Sequence, residues 1–421
     1  DEVTIPCKCG ASKTRIPDVM DVWLDAGTNA WTCLDYPQRE DLVKAMYPAE
    51  FILEGKEQIR GWFYLLLLEG QIGFDAAPMK NVYMHGWIND SLGRKMSKSL
   101  GNYILPEEIT SQYGADAFRF YMIGSAMPGV DGCYNQEEIK AKFRNLGVLW
   151  NLHKYLIELA VTNGYTASDL ESVKPDLKTM PAEERYILSK MHTTIMKMTE
   201  LYDQYRLNET PTLAEELFLE LSRTYIQLVR DKLATGEDAQ KMLSAAVIYQ
   251  VLRNTVLLFA PTAPFVTEQM WQNLREVFGW EIPSVHLAKW PTFDKKAINP
   301  DLEENMHTAQ TIMQAILAAR EKAQLSVRWP IASVTVVTTK DELNTAVEML
   351  GDLIKSQTNV KELKLAPSMK GVIMSARLDS GKLGGDFGAL TPKVMIAYGK
   401  EKPAVVLANI LRENKHTFMV E

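Results

Sequence analysis

From residue 136 onward the apolar residues of this chain recur at helical intervals through four long segments, 137–160, 182–201, 212–233 and 238–258. Strong helix formers fill the positions between, and glycine is sparse inside the runs. Such segments cover their apolar faces by packing on one another, so a helical bundle is expected. Pro261, Pro264, Pro283 and Pro291 are expected to break the helices afterwards, and 303–324 reads as one more amphipathic helix. The first 135 residues are patterned differently. Short apolar runs at 18–24, 47–53 and 81–85 read as strands. The stretch 59–70 reads as a buried helix, and 106–122 as a helix opened by Pro106 with Glu107 and Glu108 in its first turn. Strands alternating with helices imply a parallel sheet. After Arg328-Trp329-Pro330 a strand at 331–338, a helix at 341–357 and a strand at 360–365 give a small α+β unit. The expected order is therefore an α/β core over 1–135, an all-α bundle over 136–291, a connecting helix over 292–330 and an α+β domain over 331–421.

Length and composition exclude several classes. The 421 residues are 46% hydrophobic, too long for one core and apolar enough for several. With 24 glycines and 19 prolines the chain is not low-complexity or collagen-like. Four cysteines make no disulfide framework and point to a reducing, cytoplasmic setting. No uninterrupted apolar run reaches the ~18 residues of a membrane span, so no membrane partner is expected. A net charge of −7 argues against a nucleic-acid coat protein but leaves room for local basic surfaces. The chain starts at Asp1 with neither an initiator Met nor a signal-peptide pattern, and reads as a fragment whose first part was cut away.

The segment richest in chemistry is Gly93-Arg94-Lys95-Met96-Ser97-Lys98-Ser99-Leu100-Gly101-Asn102. Between Ser91 and Pro106 it places three cations and no anion, bracketed by glycines that let it move. Lysines are compact point charges suited to phosphate, and the serines add hydroxyls. On charge alone a solvated basic turn would read the same way. The whole string, however, resembles the Lys-Met-Ser-Lys-Ser signature of the class I aminoacyl-tRNA synthetases. The resemblance implies an α/β half-Rossmann catalytic core in which this loop closes on the triphosphate of ATP, bound with Mg. Lys95, Ser97, Lys98 and Ser99 would then stabilise the charge that develops as pyrophosphate leaves.

Neighbouring strings extend the likeness. Met84-His85-Gly86-Trp87 resembles the strand end that approaches adenine; a turn with a buried His is the plain alternative. Phe51 to Phe63, with Glu54-Gly55-Lys56-Glu57-Gln58 and Arg60-Gly61-Trp62-Phe63, resembles the family's strand-to-helix turn. There Gly55 would admit the nucleotide and Glu57 would take the ribose hydroxyls, as ligands bind at the carboxyl ends of parallel strands. Most relatives carry Asp at that position, and a helix-capping carboxylate is the alternative. Glu54, Gln58, His85, Gly86 and Met96 complete the implied adenylate surface. Asp21-Val22-Trp23-Leu24-Asp25-Ala26-Gly27 resembles the Asp-Val-Trp-Phe-Asp-Ser-Gly pattern of the branched-aliphatic enzymes, with Leu24 and Ala26 departing from it. Trp23 and Trp62 would flank the amino-acid side chain, unless both are core tryptophans.

Later strings resemble the isoleucyl branch in its archaeal and eukaryotic form: Ala260-Pro261-Thr262-Ala263-Pro264, Ser284-Val285-His286-Leu287, Ala319-Arg320-Glu321-Lys322, Val327-Arg328-Trp329-Pro330 and Asn359-Val360-Lys361-Glu362. Gly384-Gly385-Asp386-Phe387-Gly388 is a looser echo. The implied substrates are isoleucine, ATP and isoleucine tRNA, with a monomer as the family default. The bundle resembles the class's anticodon-binding domain, where Arg144, Arg185 and Arg230 would hold unpaired bases; each could equally be a salt-bridge partner. Cys7-Lys8-Cys9-Gly10 resembles a clipped zinc knuckle, with free thiols at a frayed end as the alternative. The family's second signature, His-x-Gly-His, is absent from the sequence, whose histidines stand at 85, 153, 192, 286, 307 and 416. The chain begins about where the family's inserted editing domain rejoins the core, so by itself it is expected neither to activate nor to edit an amino acid. Valyl or leucyl specificity, and a tRNA-binding module without catalysis, are the alternative readings.

Overall fold

The computed structural model describes residues 3–19, 21–174, 176–368, 378–413 and 415–420. They divide into two compact units, 1–303 and 304–421. The first unit opens with an antiparallel hairpin of β1 (Ile5–Pro6) and β2 (Ser12–Lys13). Next come two parallel pairs. β3 (Ile52–Gly55) crosses through the Trp62–Phe74 helix to β4 (Val82–His85), in a register that sets Gly55 beside His85. β5 (Ile88–Asn89) crosses through the Pro106–Gly124 helix to β6 (Gly132–Cys133). The parallel β-α-β pattern agrees with the expectation, as two two-stranded pairs among the described residues.

Two local expectations fail. The strand expected at 18–24 is not found among its described residues; Val22–Gly27 is a helix. Val-Trp-Leu has strand-like side chains, but the Asp21 carboxylate accepts the Trp23 N–H at 3.0 Å and so caps a helix start. The run at 47–53 also yields less strand than expected. Pro48 has no amide to give a ladder, Ala49 makes an isolated bridge to Met79, and β3 begins only at Ile52. The expected 59–70 helix starts at Trp62, where the Gln58 side-chain oxygen accepts the Trp62 N–H at 2.8 Å.

The bundle consists of long helices at Gln136–Asn163, Ala182–Asp203 and Asp238–Phe259. The expected 212–233 helix is continuous but contains a π-helical turn, Leu221–Tyr225, between Thr210–Glu220 and Ile226–Thr235. Pro264 does not break the bundle. It occupies the first turn of a further helix, Pro264–Phe278, where the missing N–H costs no hydrogen bond. Phe120 of the Pro106–Gly124 helix meets Phe259 edge-on at 4.9 Å, and Phe218 meets Phe259 at 5.8 Å. The α/β segment and the bundle therefore share one apolar core. The Asp238–Phe259 helix is long and apolar enough to cross a membrane by composition, but 67% of its apolar window is buried in this unit, so it packs as a core helix.

In the second unit β7 (Ile331–Val337) and β8 (Val360–Ala366) pair in parallel around the Asp341–Thr358 helix. Three of the strings that pointed to one family branch, at 319–322, 327–330 and 359–362, meet here. Buried Arg320 donates to the backbone carbonyls of Thr358 (3.2 Å), Trp329 (2.5 Å) and Ser326, while the Asn359 amide donates to Val327 O at 2.8 Å. Beyond residue 378 the described chain is helical, at Ser380–Phe387, Thr391–Gly399 and Pro403–Glu413.

Candidate functional site

The carboxyl ends of β3 and β4 and the turn into β5 form one rim. Gly86 lets two backbones touch: a Cβ there would lie 2.1 Å from Val130 O, so no side chain fits. Asp131 ties the turn down. Its carboxylate accepts the Trp87 N–H at 2.8 Å and pairs with Lys56 at 2.6 Å, and the Lys56 ammonium holds its pKa below the ordinary range. A mostly apolar cavity of about 410 Å³ lies beside this rim, lined by Leu53, Tyr83, His85, Trp87 and Met122. His85 and Glu57 are exposed, with the Glu57 carboxyl folded against Gly55. Glu54, also exposed, accepts its neighbour Gly55 N–H at 3.0 Å. Gln58 is engaged in capping the following helix. The rim thus gathers Glu54, Gly55, Glu57, His85 and Gly86 at one edge.

The basic loop rises from β5. Its base is held by Asp90, which is buried and accepts from Leu92 N (3.0 Å), Arg94 N (2.8 Å), Arg94 Nε (2.8 Å) and Asn102 Nδ2 (3.1 Å). The Arg94 backbone amide first, and the Asn102 side chain second, keep its carboxyl well below the usual carboxylate range. Asn102 also accepts the Ser97 N–H at 3.0 Å and donates to Lys95 O at 3.1 Å. Lys95 and Lys98 are both exposed, Met96 is half-buried, and the Ser97 and Ser99 hydroxyls lie 3.2 Å apart. Lys95 Nζ stands 6.0 Å from the centre of the Trp87 ring. Asp90 escaped the sequence reading, and Asn102 entered it only as the last residue of the basic string. The only available signal was an Asp just before the turn and an Asn just after Gly101.

Trp62 and Trp23 sit on neighbouring helices. Trp62 Nε1 donates to Ala26 O at 2.9 Å, and Trp23 is 42% exposed, so neither is a fully buried core residue. Between the two helices the Glu69 carboxyl lies against Gly27, with both oxygens buried and without a hydrogen-bond partner among the described residues. Burial, and then Asp25, raises its pKa. In the bundle Arg144 and Arg230 are exposed; Arg185 is half-buried, with its Nε unpartnered. The three are not gathered by any shared hydrogen bond. Cys7 opens the turn of the β1–β2 hairpin and Cys9 lies within it, and the Ala11 backbone lowers the Cys9 thiol pKa. Among the described residues no group of three or more His, Cys, Asp or Glu could hold a metal. Two thiols do not complete a tetrahedral zinc site, so the present residues alone do not fit zinc.

Residues 5–131 match the family model of tRNA synthetases class I (I, L, M and V), and residues 184–337 match that of the anticodon-binding domain of tRNA ligase. The isoleucine--tRNA ligase of Methanoculleus marisnigri is 34% identical over 425 residues, covering 99% of this chain and 40% of that protein. That of Methanosarcina barkeri is 36% identical over 408 residues, covering 95% and 38%. The chain thus spans about two fifths of the length of these curated relatives. Among solved structures, the ternary complex of Agrobacterium radiobacter K84 agnB2 LeuRS-tRNA-LeuAMS superposes with a TM-score of 0.55 at 23% identity, over 70% of this chain and 36% of that one. Mycobacterium tuberculosis methionyl-tRNA synthetase in complex with methionyl-adenylate gives 0.50 at 21% identity, over 61% and 51%. At these identities the likeness is one of fold. With the two family models in chain order and the relatives aligned along nearly its whole length, the chain belongs to the class I tRNA synthetases, and the curated members it matches are isoleucine--tRNA ligases.

Proposed function

We propose that this chain supplies the ATP-phosphate loop and the tRNA-binding helices of an isoleucine--tRNA ligase. The observation that carries the reading is the pinned basic loop. It rises from the carboxyl end of β5, with Lys95 and Lys98 exposed and Lys95 Nζ 6.0 Å from the Trp87 ring at the rim. With MgATP as substrate, an isoleucine carboxylate oxygen attacks the α-phosphorus. A new P–O bond forms as the bond to pyrophosphate breaks, giving isoleucyl-adenylate, and the isoleucyl group then passes to the tRNA. Negative charge grows on the leaving pyrophosphate, and the ammonium groups of the closed loop would offset it electrostatically. Ser97 and Ser99 add hydroxyl donors. Glu57 would accept the ribose hydroxyls, and Trp23 and Trp62 would give an aliphatic side chain rigid walls.

The helical bundle over 136–291 would hold the anticodon arm, with exposed Arg144 and Arg230 as contacts and half-buried Arg185 as a further one. The test is ATP–pyrophosphate exchange with a panel of amino acids, on the full-length gene product. Isoleucine should support exchange best, and Lys95→Ala with Lys98→Ala should abolish most of it. Unchanged exchange in that double variant would end the phosphate-loop reading. A gel shift with isoleucine tRNA at rising salt tests the RNA arm, with affinity expected to fall as salt rises.

A further inference from the structure

The loop is not uniformly tethered, and the difference falls between its two lysines. Lys95 belongs to the frame. It forms an antiparallel bridge with Asn89, and its carbonyl accepts from Asn102 at 3.1 Å. The turn behind it is closed by Asp90 N to Arg94 O at 2.9 Å and Gly93 N to Asp90 O at 2.9 Å, and Gly93 takes the φ of +76° that the turn requires. Buried Asp90 then binds that turn to Asn102, 12 residues later.

Lys98 belongs to the tip. It begins a short 3₁₀ turn, Lys98–Leu100. Every hydrogen bond the described structure gives residues 98–100 stays within 97–101: Leu100 N to Ser97 O and Oγ (both 3.3 Å), Gly101 N to Lys98 O (3.2 Å) and the Ser97–Ser99 hydroxyl pair. Gly101, at φ +63°, ends the turn just before the anchored Asn102. Residues 98–100 are tied to the frame only through Ser97, whose N–H the Asn102 side chain accepts at 3.0 Å, so the tip can swing at Ser97 without displacing Lys95. Moving Lys95 would break both the bridge and the Asn102 bond.

We propose that Asp90 and Asn102 are positioning residues that hold Lys95 in place for the bound nucleotide and leave Lys98 to arrive only when the tip closes, so that the two lysines act at different stages. This rests on the phosphate-loop reading. A group already in place contributes to ground and transition states alike and appears in KM. A group delivered on closure contributes to the transition state and appears in kcat.

The experiment is isoleucine-dependent ATP–pyrophosphate exchange by the full-length gene product and its variants. Lys95→Ala should raise the KM for ATP roughly tenfold with kcat little changed, and Lys98→Ala should lower kcat on the order of a hundredfold with KM little changed. Asn102→Ala should raise KM, add little to Lys95→Ala and add fully to Lys98→Ala, a coupling that a general loss of stability would not produce. Asn102→Ser serves if the alanine variant folds poorly. An independent readout is limited trypsin digestion without ligand. Cleavage after Lys98 should outpace cleavage after Lys95, and Asn102→Ala should bring the two rates together. Equal kcat losses for both lysines, or equal cleavage in the unaltered protein, overturn the division while leaving the phosphate reading intact. No effect of either lysine removes both.

Discussion

The Asp116 carboxylate accepts the backbone N–H of Val266 at 2.6 Å and of Phe265 at 3.3 Å, across 150 residues of chain. From the same helix, Arg119 donates to Pro261 O at 2.9 Å and Thr262 O at 3.1 Å. One carboxylate thus caps the start of the Pro264–Phe278 helix, and one guanidinium takes carbonyls just past the end of the Asp238–Phe259 helix. The two charges use the opposite polarity of two helix ends to fasten the loop-bearing segment to the bundle.

Removing that cap should weaken the junction. Asp116→Ala is expected to cost about 1–2 kcal/mol in urea unfolding at pH 7, the usual range for a lost helix cap. Burial raises the Asp116 carboxyl pKa, against the pull of the Val266 and Phe265 amides. The contribution of a group with a raised folded pKa is full below its unfolded value, about 3.9, and declines as pH rises through the folded one. The stability gap between the unaltered protein and Asp116→Asn should therefore narrow from pH 4 to pH 7. A gap that widened would contradict the burial argument.

A second test lies inside the bundle. Lys232 Nζ lies 3.1 Å from one oxygen of fully buried Glu184 and 3.2 Å from the other, and it also pairs with Glu183. Burial, and then Glu183, raises the Glu184 pKa. Lys232→Met would leave two buried carboxylates without their cation and should cost about 3–5 kcal/mol at pH 7. Folding would then favour the protonated acids. Stability should be greatest below about pH 4.3, the unfolded value for Glu, and fall as pH rises through the raised folded value of Glu184. Thermal melts of the variant across pH 4 to 8 would show the slope.

Much of this architecture was readable from residue order, for identifiable reasons. The long bundle helices declare themselves because 20 or so residues of helical spacing leave no other way to bury the apolar face. The basic loop declares itself because ten consecutive residues carry its chemistry. What stayed hidden depended on partners far apart in the chain or on one capping atom. Asp90 and Asn102 are ordinary loop residues until the turn brings them together. The run at 18–24 looked like a strand because side-chain type outweighed a single Asp21 cap at the start of the Val22–Gly27 helix. Pro264 looked like a breaker because its role at a helix start depends on Asp116, much earlier in the sequence.

The second unit offers a test of geometry rather than charge. Buried Arg320 spans three carbonyls, of Ser326, Trp329 and Thr358, with two of its nitrogens. Lysine keeps the charge but presents one compact ammonium, which cannot reach all three. Arg320→Lys should cost about 2–3 kcal/mol, the scale of one or two buried carbonyls left unpaired. If Arg320→Lys and the unaltered chain unfold at the same urea concentration, the fork geometry is not what holds this turn.

The last prediction concerns the loop's response to pH. Asp90 accepts from the Arg94 backbone amide, the Asn102 side chain, the Arg94 guanidinium and the Leu92 amide, and these hold its carboxyl well below the ordinary range. A depressed folded pKa gives a contribution that is complete above the unfolded value, about 3.9, and is lost only as pH falls through the folded one. From pH 8 to pH 5 the anchor should therefore not change. After correction for the protease's own pH dependence with an unstructured peptide, the rate of tryptic cleavage at Arg94 should be flat over that range. Asp90→Asn has no charge to pair with the Arg94 guanidinium and an amide that must face one of the donors, so cleavage at Arg94 should be faster at every pH. A cleavage rate that climbed between pH 7 and pH 5 in the unaltered protein would place the sensitive group elsewhere than Asp90.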